Sequence, residues 1–135
     1  MSDVHVRLRV GREGYALPIE NVREVAELGE LATVPGAGAA VLGVRNLNGQ
    51  VLPVFDLASV FGITRDGRPP RIVVAEQNGR VVGLAVDEVT EVSPLGSERE
   101  DADPAFLSCA VLEDGRLVGV VDVERMFESL EREAA

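Results

Sequence analysis

Few side chains in this 135-residue chain could run a reaction. Asp56 closes the apolar segment "VLPVF", and as a general acid it would need a second carboxylate, a histidine or a metal beside it and a raised pKa. Glu24 and Asn46 are the residues that could share a cleft with it, in which case perturbed carboxylates would face a pocket. His5, the one histidine, falls on the polar phase of "VHVRLRV". No metal cluster or nucleophile–histidine–acid triad assembles around it, so it reads as a solvated strand residue. Cys109, also single, sits among apolar neighbours in "LSCAVLEDG" and reads as a small core residue, with no cation close in sequence to lower its pKa. The segment "GAGAAVLG" at residues 36–43 lacks the G-x-G-x-x-G spacing and the Lys-Ser/Thr ending of phosphate-cradling loops, and reads as a loop or helical turn. The acidic run "SEREDADP" at residues 97–104 reads as a solvated loop. No cofactor, no metal and no catalysis are expected.

The elements that would position Asp56 give it a simpler role. Glu13-Gly14, Asn48-Gly49, Asn78-Gly79 and Asp114-Gly115 sit in turn-like settings before strand-like segments. The last three are pairs that accept positive φ at both central positions of a type I′ hairpin turn. "GQVLPVFDLASVF" and "GRLVGVVDVERMF" match at an offset of 66: the glycines, Val54 with Val120, Asp56 with Asp122, Phe61 with Phe127. The segments following Gly14 and Gly79 agree more loosely, with Val22/Val89, Glu24/Glu91 and Val25/Val92 at an offset of 67. One β unit is therefore expected twice. Val123, Met126, Phe127 and Leu130 have helical spacing behind Asp122, and Leu57, Val60 and Phe61 repeat the start of it behind Asp56. Both aspartates then stand where a carboxylate caps free helix N–H groups, one device that explains both better than catalysis does. Pro53 cannot donate to a ladder, which places its strand at an edge or a bulge.

Composition agrees with a β protein. Aromatics are 4%, Trp is absent, and the interior must come mostly from β-branched aliphatics. A formal charge of −10 with no basic run argues against nucleic acid. No apolar stretch approaches the roughly 20 residues needed to cross a bilayer, and charges interrupt the N-terminal valines where a secretory signal needs an apolar run. A cytoplasmic chain without direct membrane insertion is expected. The fold class expected is all-β: two five-stranded lobes, a short linking helical turn and a C-terminal helix, within a single domain over 1–135. One lobe is assigned to about 11–65 plus the C-terminal segment, the other to about 4–10 and 70–121.

At Gly43 to Leu57, "GVRNLNGQVLPVFDL" resembles the signature segment of the CheW family of bacterial chemotaxis coupling proteins. "YALPIENVREV", "RIVVAEQNGRVVGLAVDEVTEV" and the closing "GRLVGVVDVERMF" extend the likeness over nearly the whole chain. The resemblance implies two SH3-like barrels and a free-standing, non-catalytic adaptor. It would bridge chemoreceptor tips to the regulatory domain of a CheA-type histidine kinase, in association with membrane receptor arrays. It also implies that Val22, Glu24, Gly43 and Gly49 contact partners, with Val22 and Val44 as apolar anchors and Arg45, Asn46 and Asn48 presented beside them. Two family arginines are replaced here, by Asn48 and Ala58. The first is expected to pair with the position of Glu24, so that pair requires Arg45 or Arg23 as a substitute. A CheW-like scaffold of a non-chemotaxis pathway and a small-ligand-binding β-barrel are the alternatives.

Overall fold

The computed structural model describes residues 3–102 and 106–134. Three turns form as their residue pairs require: Asn48 (φ +53) with Gly49 (+86), Asn78 (+51) with Gly79 (+79), and Asp114 (+49) with Gly115 (+76). They join β4 (Val41–Leu47) to β5 (Gln50–Asp56), β6 (Arg71–Gln77) to β7 (Arg80–Val86), and β10 (Leu107–Glu113) to β11 (Arg116–Val121). The fourth expected turn is displaced. Gly11 takes positive φ (+59) between β1 (Val4–Val10) and β2 (Glu13–Pro18), and Gly14 lies inside β2. A 3-10 turn, Ile19–Asn21, leads into β3 (Val22–Glu27), while β8 (Glu88–Pro94) and the two-residue β9 (Arg99–Glu100) precede β10. Part of the acidic run is therefore strand; Asp103 and Pro104 lie outside the described residues.

The strands form a six-stranded sheet, β8-β1-β2-β11-β10-β9, and a five-stranded sheet, β3-β6-β7-β5-β4. The lobes thus divide the chain differently from the ranges expected from sequence: β2 joins β1 and β11, and β6 and β7 join β3, β4 and β5. The physical reason is a pair of parallel ladders. β11 runs beside β2 (Val120↔Ala16) and β5 runs beside β7 (Val54↔Gly83), so each sheet takes its first hairpin from one repeat and its remaining strands from the other. The duplication itself holds residue by residue. Glu113↔Arg116 matches Leu47↔Gln50 at 66, and Arg7↔Glu91 matches Val74↔Glu24 at 67. Even the bulges correspond, Leu107/Cys109 with Val41/Gly43. β5 is an interior strand, contrary to the expectation for Pro53. That proline is tolerated because the ladder with β7 begins only at Val54.

A shared core lies between the sheets, with Val6, Leu8 and Val10 from one, Phe55, Val73 and Leu84 from the other, and Met126, Phe127 and Leu130 from the C-terminal helix α2 (Val123–Ala134). The short helix α1 (Leu57–Phe61) adds Leu57 and Ala58. A second cluster, Leu28, Leu52, Val54, Ile72, Val74 and Ala85, fills the inside of the five-stranded lobe alone. His5 is buried, not solvated. Its strand is flanked on both sides by β2 and β8, and its Nδ1 lies 2.7 Å from the Asp3 carbonyl.

Asp87 clasps the crossover. Its carboxylate accepts from the Gly11 N–H at 2.6 Å and pairs with Arg65 of the linker that follows α1. Burial works to raise its pKa, but the Arg65 guanidinium and the Gly11 amide outweigh burial and hold it below the usual carboxylate range.

Two outcomes follow. Fragments 1–66 and 67–135 should each fail to melt cooperatively alone but recover native amide dispersion when mixed; a cooperative melt by either fragment as a monomer would contradict the interleaving. A group with a depressed native pKa contributes stability that is complete above about pH 5 and lost as pH falls through the native value. Asp87→Asn should therefore flatten the acid limb of the urea midpoint plotted against pH, and an unchanged limb would show that the clasp contributes nothing.

Candidate functional site

All eight residues expected to meet partners lie on the five-stranded lobe. Val22 and Glu24 are on β3, Gly43, Val44, Arg45 and Asn46 on β4, and Asn48 with Gly49 form the turn beyond. β3 and β4 are the two outer strands of that sheet, and the segment after β3 brings them together. Leu28 donates its N–H to the Pro70 carbonyl at 3.0 Å, and Ala32 bridges to Val44 with hydrogen bonds of 2.9 and 2.8 Å. The other lobe closes by the same device, Arg99↔Val111, extended there into β9.

Closure accounts for several of the eight. Gly43 has φ +150, and a Cβ there would stand 2.5 Å from the Ala32 carbonyl oxygen, so glycine is required where the two segments meet. Arg45 donates from Nε to the Leu28 carbonyl at 3.0 Å and from Nη1 to the Asn46 carbonyl at 2.5 Å, and its guanidinium lies where a side chain on Gly29 would be. Asn46 accepts the Gly49 N–H on Oδ1 at 3.1 Å, which tightens the turn. These three side-chain and backbone roles are internal to the lobe.

Of the other five, Glu24, Asn48 and Gly49 are exposed, Val44 is half-buried, and Val22 is half-buried and packs against the shared core. The substitute ion pair does not form: Arg45 is committed to carbonyls, and the Arg23 Nε lies 3.8 Å from Glu76. Among the described residues Glu24 has no hydrogen-bonding or ionic partner, which leaves its carboxylate available to another molecule. Val25 beside it and Val51 after the turn are 43% and 64% exposed. Sequence reasoning did not single these out as contacts, yet a signal was present. Val92 and Leu117, their counterparts in the other repeat, are exposed as well, so large apolar residues recur outside at matching places.

Asp56 is a cap. Its Oδ1 accepts from the Ala58 N–H at 3.2 Å and its Oδ2 from the Ser59 hydroxyl at 3.3 Å, while Asp122 accepts from the Arg125 N–H at 3.1 Å. Asp56, Glu24 and Asn46 line none of the three described concavities. One opens on the six-stranded lobe. A second, about 300 Å³, lies among Phe106, Arg125, Glu128 and Arg132. A third, about 270 Å³, is an apolar groove between β5, β7 and α2 lined by Pro53, Phe55, Val81, Val82, Phe127 and Leu130. Arg80 lies over the Phe127 ring, 5.4 Å from its centroid, and pairs with Glu131 at the groove's edge. Cys109 is half-buried at a bulge, and Arg99, distant in sequence, reaches to 4.0 Å of its sulfur across the β9–β10 pairing. Among the described residues no group of three or more His, Cys, Asp or Glu could hold a metal, and no helix is long and apolar enough to cross a membrane.

Comparison with known proteins agrees with this architecture. The CheW-like domain matches residues 5–131. The chain is similar to the chemotaxis protein CheW of Rhizobium meliloti (strain 1021), at 34% identity covering 96% of this chain and 90% of that protein. It is also similar to Protein FrzA of Myxococcus xanthus, at 36% identity covering 60% of this chain and 52% of that protein. The crystal structure of the scaffolding protein TtCheW from Thermoanaerobacter tengcongensis superposes with a TM-score of 0.83 at 30% identity, covering 95% of this chain and 94% of that one. With the duplicated β unit, the signature segment at its closing strand and a match across the whole architecture, the chain belongs to the CheW-like domain family.

Proposed function

We propose that this protein is a non-catalytic adaptor that couples chemoreceptor tips to the regulatory domain of a CheA-type histidine kinase, in the cytoplasm beside membrane receptor arrays. The observation that carries the reading is the superposition on a scaffolding protein over 95% of the chain, which includes the signature hairpin. The surface supports it physically. Glu24 is exposed and unpaired among the described residues, and Val25 next to it is exposed. An unpaired charge beside apolar side chains gives an interface both register and desolvated area. The groove between β5, β7 and α2 is a second apolar surface. One relative, Protein FrzA, is not named as a chemotaxis protein, and a CheW-like scaffold in another pathway is the second reading.

Mixing the pure protein with its cognate kinase and a receptor-tip fragment should give co-elution and altered kinase activity, and no association well above micromolar concentration would sink the adaptor reading. Glu24→Arg should abolish or weaken one of these associations while shifting stability by no more than about 0.5 kcal/mol, as expected of an exposed unpaired side chain. Unimpaired binding to both would remove β3 from the interface. Asn48→Arg should change partner affinity at a folding cost of about 1 kcal/mol, since Asn accepts the left-handed φ of +53 better than Arg does. A calorimetric scan beside the binding titration separates the two effects.

A further inference from the structure

The duplication lets each position of one lobe be read against its counterpart in the other. Inside the five-stranded lobe, Leu52 and Val74 are buried and Leu47 and Val81 pack against them. The matching residues of the six-stranded lobe are Val118, Arg7, Glu113 and Gly14. Two of these exchanges remove volume, Leu to Val and Val to Gly. The other two replace an apolar contact by an ion pair. Arg7 pairs with Glu113 through Nη1 and Nη2, and donates from Nε to the Ser93 hydroxyl at 2.6 Å and from Nη2 to the Pro94 carbonyl at 2.6 Å. Glu113 also accepts the Gly96 N–H at 2.7 Å. The lobe that has lost its filling is open: a cavity of about 770 Å³ enters it beside Gly14 and Val118. That volume is in the range of about 300–1,000 Å³ typical of ligand sites.

The charges around it are distributed unequally. Arg7 is engaged by Glu113, and Arg9 lies 3.3 Å from Glu88 and donates to the Gly11 carbonyl at 2.7 Å. Arg12 and Arg116, on the two hairpins at the opening, are exposed and have no hydrogen-bonding or ionic partner among the described residues. Glu13 and Glu91 also line the cavity, so it is amphoteric, with its two free guanidiniums on different hairpins. Leu117, 52% exposed, adds an apolar wall.

We infer that the open mouth of the six-stranded lobe binds an extended acidic segment of a partner protein, its carboxylates held by Arg12 and Arg116 and an apolar side chain of it seated over Gly14 and Val118. A guanidinium offers a planar fork that a carboxylate fills with two hydrogen bonds. On a chain of formal charge −10, an acidic segment is repelled over most of the surface, and two free guanidiniums at a hollow select where it lands. The site lies on the lobe that the adaptor reading leaves unassigned and goes beyond that reading.

The test uses the full chain, ¹⁵N-labelled, with an acetylated, amidated short peptide of alternating Glu and Leu as probe and its Lys/Leu counterpart as control. The acidic peptide should shift the amides of Gly14, Arg116 and Val118, and bind more weakly as salt rises. Arg12→Glu combined with Arg116→Glu should weaken it about tenfold or more, as expected when two charge-assisted forks are lost. Gly14→Val, which copies Val81 of the other lobe, should weaken it by filling the hollow with both arginines intact. Gly14 has ordinary φ and a Cβ there would meet Val118 at an ordinary 3.7 Å, and the amide dispersion of the variant reports whether it is folded. Equal binding of the basic peptide, shifts confined to the other lobe, or unchanged affinity in either variant would overturn the assignment. Self-association that depends on Arg12 and Arg116, seen by sedimentation, would place a second copy of this chain at the mouth and overturn it equally.

Discussion

Two parallel ladders, β2 beside β11 and β5 beside β7, are the constraint on which the rest of the structure depends. Parallel neighbours cannot be joined by a tight turn, so each ladder must recruit strands remote in sequence. Here each recruits a strand of the other repeat. The consequence is that neither sheet belongs to either half of the chain, and that the residues facing inward from both sheets share one core with α2. The Asp87 clasp sits where this crossing is tightest, joining the β1–β2 turn to the linker between the repeats. The two sheets are thereby joined through the packed side chains of one core.

Within that shared frame the lobes have diverged in how they are filled. The five-stranded lobe is closed over aliphatic side chains, and its outward features are an unpaired carboxylate, Glu24, and exposed valines. The six-stranded lobe holds its strands together with Arg7 and Glu113, side by side with both partners fully hydrogen-bonded, and is hollow. A partly buried pair of this kind is tolerated because Ser93, Pro94 and Gly96 satisfy its remaining groups. Burial of Arg7 is opposed by the Glu113 carboxylate, which keeps the guanidinium pKa raised and the Glu113 pKa lowered. Corresponding strand ladders thus carry two different interiors.

Local chemistry made much of this legible. Asn-Gly and Asp-Gly fixed three hairpins because few other pairs accept positive φ twice in succession. The helical spacing of Val123, Met126, Phe127 and Leu130 marked the face that α2 buries, and the repeat of Asp56 and Asp122 identified two caps. What the chain could not disclose locally was which strand lies beside which. The ranges given to the lobes kept β2 with β3, β4 and β5 and kept β6 and β7 with β8, β10 and β11, and the parallel ladders exchange these hairpin strands. His5 was misplaced because period-2 alternation separates two faces but does not say how far each is covered: on the face that His5 shares with Arg7 and Arg9, His5 is buried and Arg9 is exposed. At the site, Gly43 and Arg45 were read as contacts because the signature segment includes them. Their distances to Ala32 and Leu28 give them work inside the lobe.

The interleaving has an ancestral implication. A single repeat, strands one to five with its helix, leaves its first hairpin and its last three strands without neighbours. Two identical copies related by a twofold axis satisfy every ladder of both sheets, since each lends its hairpin to the other. The linker at residues 62–70 turns that bimolecular encounter into an intramolecular one, replacing protein concentration by tether length. Once tethered, the copies no longer had to remain identical, and one interior could become a hollow while the other stayed solid.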